Sequence, residues 1–383
     1  MDFSIAPSLL AYRKAVTEFA EQELDFDPIE TDETSTFPRA AWQKCADFGI
    51  QGLSVAKKYG GKHEQPDIIE AVLAMEGFGY GCKDGGLALA LNAQMWTVQM
   101  PLAHFGTDAQ REKYLPALTS GKSIAAHALT EPDAGSDVYQ LQMTAEKVDG
   151  GYLLNGAKCY ITLAPIADLI LLFASTNPKA GKWGVTAFLV EKGTLGLHQK
   201  TMQTKMGLRS VPIGELALEN CLIPEENRLG KEGAGFSIMN HSLEYDRCCI
   251  LASQLGTMER QLEETITYVK KRKQFGQSIG KFQSVSNRIA DMKLRLETAR
   301  LLLYKVAWLK QNGKSAMLEA AMLKLHLGES FVASSLDAIR SHGAKGYLTE
   351  YGVERHLRDA VGGILYAGTS DIQRNIIARL MGI

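Results

Sequence analysis

Several things are scarce in this 383-residue chain, and each scarcity removes a class of function. Neither sign of charge is in excess: 42 Lys and Arg stand against 43 Asp and Glu, a formal net charge of −1. With no basic cluster either, nucleic acid is not expected as a partner. No apolar run approaches the ~20 residues that a membrane-crossing helix needs. The opening stretch, Met1 to Leu10, has no cationic region followed by an apolar one, so no secretory leader is expected and the protein reads as cytoplasmic. The six cysteines, Cys45, Cys82, Cys159, Cys221, Cys248 and Cys249, form no CxxC pair and no zinc-like spacing. They are expected to be buried reduced thiols, and no metal site is expected. No GxGxxG follows a strand-like run, which argues against a Rossmann mode of dinucleotide binding.

What is present is enough apolar sequence, 45% of residues, for two or three subdomains around substantial cores. Residues 1–121 read as helical. Leu9, Tyr12, Val16 and Phe19 recur at three-to-four spacing, the pattern returns over Ala40 to Phe48 and Ile68 to Phe78, and Gly79 and Gly81 are expected to end that last helix. Leu87 to Leu102 is apolar nearly all round and predicts a central buried helix. Phe105 to Leu118 closes the region.

Over 122–231 short runs rich in β-formers alternate with Gly and Asn. Gly150 to Gly156, Leu169 to Phe173, Val185 to Val190 and Gly214 to Leu218 predict strands of a small β domain. Over 232–383 helix returns, with long 3.6-residue periods at Leu243 to about Lys273, Phe282 to Gln311 and Ser315 to His342. These predict an antiparallel bundle. No internal repeat or low-complexity linker separates the three parts. The class is therefore α+β.

Near the end lies Tyr366-Ala367-Gly368-Thr369-Ser370-Asp371-Ile372-Gln373-Arg374, between a helical segment closed by Gly362-Gly363 and a last apolar-periodic run. A tight loop feeding a helix start offers free backbone N–H groups to a polar or anionic ligand; on its own it is also an ordinary Ser/Thr cap. The stretch resembles the C-terminal signature of the acyl-CoA dehydrogenase superfamily. Four more blocks carry the same resemblance in order: Thr130-Glu131-Pro132-Asp133-Ala134-Gly135-Ser136-Asp137; Lys158-Cys159-Tyr160-Ile161-Thr162; Lys205 to Ser210 with Pro224 to Gly230; and Arg272-Lys273-Gln274-Phe275-Gly276. The resemblance implies that superfamily's fold: an N-terminal helical domain, a middle β-barrel-like domain and a C-terminal four-helix bundle.

It also implies FAD as cofactor. Carried over by motif, His127, Leu129 and Thr130 face the isoalloxazine, Ser136 meets the pyrophosphate, and Tyr160 and Thr162 lie by the ring. Arg272, Gln274 and Phe275 reach the adenine half from an adjacent subunit, which implies a homotetramer. Arg340 and Ala344 stand at the family's penultimate loop, where an amide is usual in place of Arg340. Thr369 and Asp371 close the clamp, with Asp371 replacing a usual Gln or Glu.

The superfamily's usual catalytic Glu is absent; Ala367 stands in its place and cannot move a proton. The isovaleryl-CoA dehydrogenase branch also has Ala there, with its base just before the Arg of a Leu-Asp-x-x-Arg block. Here that block reads Leu243-Glu244-Tyr245-Asp246-Arg247. Counting back from Arg247 points to Asp246. Glu244 has one methylene more and is the only Glu between Gly233 and Met258. Glu244 is taken as the base, with Asp246 as the alternative, both set at a helix start where either acid would also serve the helix N-terminus. Tyr245, Arg247, Tyr366, Ala367 and Gly368 are expected to line the substrate, with Met95 and Trp96 narrowing the pocket.

Within the superfamily the chain resembles the prolyl-carrier-protein oxidases of anatoxin- and prodigiosin-type pathways. That implies oxidation of a prolyl thioester on an acyl or peptidyl carrier protein, with oxygen or an electron-transferring flavoprotein taking the electrons. The alternatives are a short- or branched-chain acyl-CoA dehydrogenase, a flavin-dependent oxygenase, and a non-catalytic partner that keeps the fold.

Overall fold

The computed structural model describes residues 4–201 and 204–383, so the first three residues of the expected helical region lie outside it. The N-terminal part holds α1 (Pro7–Gln22), α2 (Pro28–Thr34), α3 (Arg39–Phe48), α4 (Ile68–Gly81), α5 (Gly85–Ala93), α6 (Met100–Phe105) and α7 (Asp108–Thr119). Between α5 and α6 the chain makes a π-helical turn, Gln94–Gln99, every residue of which is buried. Thr107 starts α7 with a reciprocal capping box to Gln110.

α4 runs through Gly79 and ends at Gly81, so of the two expected terminators only Gly81 closes it. Both also serve packing. A Cβ at Gly79 would collide with the Ser253 carbonyl, and one at Gly81 would meet the Thr17 carbonyl and the Ala20 side chain. The glycines let neighbouring helix backbones approach α4 more closely than any side chain allows.

The middle part holds β1 (Ala125–Ala128), β2 (Thr144–Val148), β3 (Gly151–Thr162), β4 (Leu169–Ser175), β5 (Val185–Glu191), β6 (Leu197–Thr201), β7 (Ile213–Pro224) and β8 (Arg228–Leu229). They form one sheet in the order β6-β7-β3-β2-β4-β5-β8, with β1 parallel to β4. Among the described residues the path is open, so the expected barrel-like domain is a sheet whose end strands do not pair. β4 is buried at every position, because both its faces are covered. The strands missed in the sequence are the short or exposed ones, β1, β2, β6 and β8, where no clean alternation marks a buried face.

The C-terminal part holds α8 (Gly235–Cys249), α9 (Ala252–Lys271), the small hairpin β9 (Lys273–Gln274) and β10 (Gln277–Ser278), α10 (Gln283–Gln311), α11 (Met317–His342), α12 (Ala344–Tyr347), α13 (Val353–Gly363) and α14 (Ser370–Leu380). The single helix expected from Leu243 to Lys273 is two, broken at Ile250 and Leu251. Consequently Glu244 and Asp246 do not open a helix. They sit well inside α8, which begins at Gly235. Likewise Gly362 and Gly363 are the last turn of α13 rather than a break after it.

Candidate active site

Two loops and one helix position the residues singled out by sequence. The first loop follows β1. Its Thr130 carbonyl accepts from the Cys159 backbone N–H at 3.0 Å, and its Leu129 carbonyl accepts from Lys158 Nζ at 3.0 Å. Lys158 also donates to Glu131 Oε1 at 2.8 Å, and both side chains are buried. Burial pushes Lys158 down to about 8 against the pull of Glu131. Glu131 in turn accepts from the backbone N–H groups of Gln142 and Met143. This buried ion pair, 27 residues apart in sequence, staples residues 129–131 to β3. The sequence offered both residues inside motifs but no sign that they touch.

On β3 itself the pairing register with β7 shifts between Lys158 and Ile161. Such a bulge leaves a residue unpaired and re-aims it. Tyr160 takes φ 57° there and stands 63% exposed, with Thr162 two residues on. His127, on β1, packs against Phe173 at 5.2 Å between ring centroids. Burial, and to a lesser degree Lys158, pushes it down to about 4, so its ring is neutral at physiological pH, and its Nε2 has no partner among the described residues.

The second loop is Tyr366 to Thr369. Ala367 and Gly368 take φ 56° and 84°, and Thr369 caps α14 by accepting from the Ile372 N–H at 3.3 Å. The loop's shape is held by Gln373, fully buried, whose Nε2 donates to the Ala367 and Gly368 carbonyls at 3.0 Å each. A Cβ on Gly368 would lie 2.7 Å from that nitrogen. Gln373 lies within the motif, but nothing local marks it as the loop's anchor. Tyr366 is held by Gln254 of α9, which donates to its hydroxyl at 2.5 Å.

The helix is α8. Glu244 accepts from the Ala316 N–H at 2.9 Å, just before α11, and pairs with Lys310 at 3.2 Å. It is thus engaged in joining three helices. Asp246 is 6% exposed, and its carboxylate, unlike its backbone carbonyl, accepts no hydrogen bond among the described residues. Burial pushes its carboxyl up to about 7, with Arg247 and Lys324 pulling the other way. Its charge is also felt at the Tyr366 hydroxyl, which places it toward the second loop. Arg247 is disfavoured as a cation by burial, and its Nε is unpartnered among the described residues.

Tyr245 is half-buried and stacks on Trp96, with ring centroids 6.2 Å apart and planes within 6°, while Lys310 Nζ sits 4.2 Å from its centroid. Met95 and Trp96 are wholly buried. Trp96 therefore acts by backing Tyr245, and Met95 is core.

The other expected cofactor residues stand apart. Arg272 and Gln274 are exposed, and Phe275 at φ 50° and Gly276 at φ 80° form the two-residue tip of the β9–β10 hairpin, with Phe275 93% exposed. No hydrogen bond or ion pair among the described residues ties them to the first loop. Ser136 is exposed, Arg340 is exposed and pairs with Asp337 at 3.4 Å, and Ala344 is exposed at the start of α12. Asp371 is exposed and pairs with Arg374 at 3.3 Å. Among the described residues there is no cluster of groups that would hold a metal ion, and no helix long and apolar enough to cross a membrane.

A flavin dinucleotide fits what these loops present. A free aromatic face at Tyr160, hydroxyls at Thr130, Thr162 and Ser136, and the buried unpartnered hydroxyl of Ser370 at the α14 N-terminus are a donor set suited to a ring edge and a pyrophosphate.

The chain matches family models for the acyl-CoA dehydrogenase N-terminal domain at residues 7–122, the middle domain at 126–221 and the C-terminal domain at 233–382. The chain belongs to the acyl-CoA dehydrogenase family. It is 42% identical over 383 residues to an L-prolyl-[peptidyl-carrier protein] dehydrogenase of a Serratia species, covering 100% of this chain and 99% of that one. It is 50% identical to the prolyl acyl carrier protein oxidase AnaB, with TM-score 0.97 and coverage of 99% and 100%. A structure described as PigA with FAD and proline matches at 42% identity and TM-score 0.97, covering 100% and 99%.

Proposed function

We propose that this chain is an FAD-dependent enzyme that oxidises an L-prolyl thioester, carried on an acyl or peptidyl carrier protein, to the dehydroprolyl (1-pyrroline-carboxyl) thioester. The observation that carries the reading is full-length similarity to relatives named for that reaction, in a chain whose loop position 367 holds Ala while a buried carboxylate lies on α8.

FAD, when bound, supplies the hydride acceptor. Thr130, Tyr160, Thr162 and Ser136 would hold it on the sheet side, with Thr369 at the second loop. Asp246 takes the substrate's α-proton. Its free oxygens and raised proton affinity suit a base working near neutral pH. Glu244, committed to Lys310 and the Ala316 N–H, holds helices together instead. Tyr245 and Arg247 flank the base along the same helix. The Phe275 hairpin, bare in one chain, supports a homotetramer in which it meets a neighbour's cofactor. The reduced enzyme would pass its electrons to oxygen or to an electron-transferring flavoprotein.

Incubation with prolyl-carrier protein, followed by intact-mass measurement of the carrier, tests the reading. Loss of two hydrogens from the carried group is expected. An unchanged carrier mass, with FAD bound to the enzyme, would contradict it.

A further inference from the structure

Lys324 lies within α11 with none of its side chain exposed, and its Nζ has no hydrogen-bond partner among the described residues. A dry, unpaired ammonium is costly unless a facing charge offsets the cost. The charges acting on Lys324 are Asp246 first, from α8 packed against α11, then Arg247 and Glu329. Seen from Asp246, the charged groups are Arg247 beside it and Lys324 across from it. Tyr366 and Cys249 are the neutral titratable groups that feel its charge. No direct ion pair joins Lys324 to Asp246 among the described residues, in contrast to Glu244, which Lys310 grips at 3.2 Å.

We propose that Lys324 is a positioning residue for the base: its buried ammonium keeps the Asp246 carboxylate ionised and oriented while leaving both oxygens free to receive a proton. The inference rests on the reading of Asp246 as the base. The step it serves moves one proton from the substrate α-carbon to an Asp246 oxygen. Lys324 gives up no proton and neither residue changes oxidation state. What Lys324 supplies is a fixed charge in a water-poor site, where such a charge acts more strongly than it would in water.

The test compares Lys324→Met, which removes the charge at similar length, with Lys324→Arg, which keeps it. Anaerobic flavin reduction by prolyl-carrier protein is followed against pH. The carboxyl band in difference infrared spectra gives the titration midpoint without turnover. In Lys324→Met both midpoints should rise by about one pH unit or more, with FAD content and the KM for the carrier protein unchanged, and Lys324→Arg should restore the wild-type midpoints. If Lys324→Met fails to fold, Lys324→Gln replaces it, with the same expectation. An uncharged variant that folds, binds FAD and keeps the wild-type midpoints overturns the Lys324 inference alone. Wild-type reduction rates in Asp246→Asn overturn the base reading and the Lys324 inference with it.

Discussion

Glu244 and Asp246 are two residues apart on α8 and serve opposite faces of it. A helix turns about 200° over two residues, so one acid meets Lys310 and the start of α11 while the other is set toward Lys324 and Tyr366. Their chemistry divides accordingly. Asp246→Asn should keep FAD bound and slow flavin reduction about 10²–10⁴-fold. Glu244→Gln should leave the reduction rate within about threefold and destabilise the fold by about 1–3 kcal/mol through the weakened Lys310 pair. Stopped-flow reduction and denaturant unfolding of the two variants separate these roles. A dead Glu244→Gln beside an active Asp246→Asn would reverse the assignment.

The raised proton affinity of Asp246 has a cost in stability with a definite sign. Its carboxyl is pushed up to about 7 in the fold, above the ~3.9 of an unfolded Asp. The fold therefore binds this proton more tightly than the unfolded chain does. The site is least unfavourable below about pH 4, and its penalty grows as pH rises to about 7, then levels off. Asp246→Asn should accordingly be more stable than wild type at pH 8, by up to a few kcal/mol (about 1.4 kcal/mol for each pH unit separating the folded and unfolded titration midpoints), with the gain fading toward pH 4. Urea midpoints at the two pH values check this. The activity of the wild type runs the other way, with flavin reduction rising with pH through about 7.

The Glu131–Lys158 pair should behave as a buried ion pair does when one partner is removed. Lys158→Met leaves Glu131 buried without its counter-charge and should cost about 3–5 kcal/mol. It also frees the Leu129 carbonyl, loosening the loop that carries Thr130. Faster loss of FAD on dilution, measured by release of flavin fluorescence, is expected alongside the lower unfolding midpoint. A variant as stable and as yellow as wild type would show that the staple is not needed.

The positions of the motif residues were legible in the sequence, and the contacts that were not have a common physical cause. Thr130 and Thr369 lie on two loops and Tyr160 on β3, each inside a motif block that is contiguous in sequence and whose turn residues are local. The helix cap at Thr369 follows from that same local chemistry. Contacts between distant segments were hidden. Nothing near Gly79 announces the Ser253 backbone across from it, and nothing near Lys324 announces Asp246. The break at Ile250 and Leu251 was hidden as well, since both are apolar and continue the helical period. That break, and the true start of α8 at Gly235, changed the register of the acids from a helix end, where position is loose, to a helix interior, where it is fixed.

Gln373 offers a test of the second loop without touching Asp246, the proposed base. Its amide satisfies two carbonyls of a loop whose Ala367 sits at φ 56°, a conformation unfavourable for any residue with a Cβ. Gln373→Ala should destabilise by about 1–3 kcal/mol, and Ala367→Gly should stabilise by roughly 0.5–1 kcal/mol if the loop keeps its shape, partly offset by the greater freedom of Gly in the unfolded chain. Thermal unfolding of both variants decides it. Equal midpoints for Gln373→Ala and wild type would remove Gln373 as the anchor.

The central claim is that the substrate is a prolyl thioester on a carrier protein. Anaerobic bleaching of the bound flavin's visible absorbance tests it most directly, with purified enzyme mixed separately with prolyl-carrier protein and with isovaleryl-CoA. Rapid bleaching by the prolyl thioester and none by isovaleryl-CoA is the predicted result. Bleaching by isovaleryl-CoA alone would contradict it and return the enzyme to branched-chain acyl-CoA oxidation.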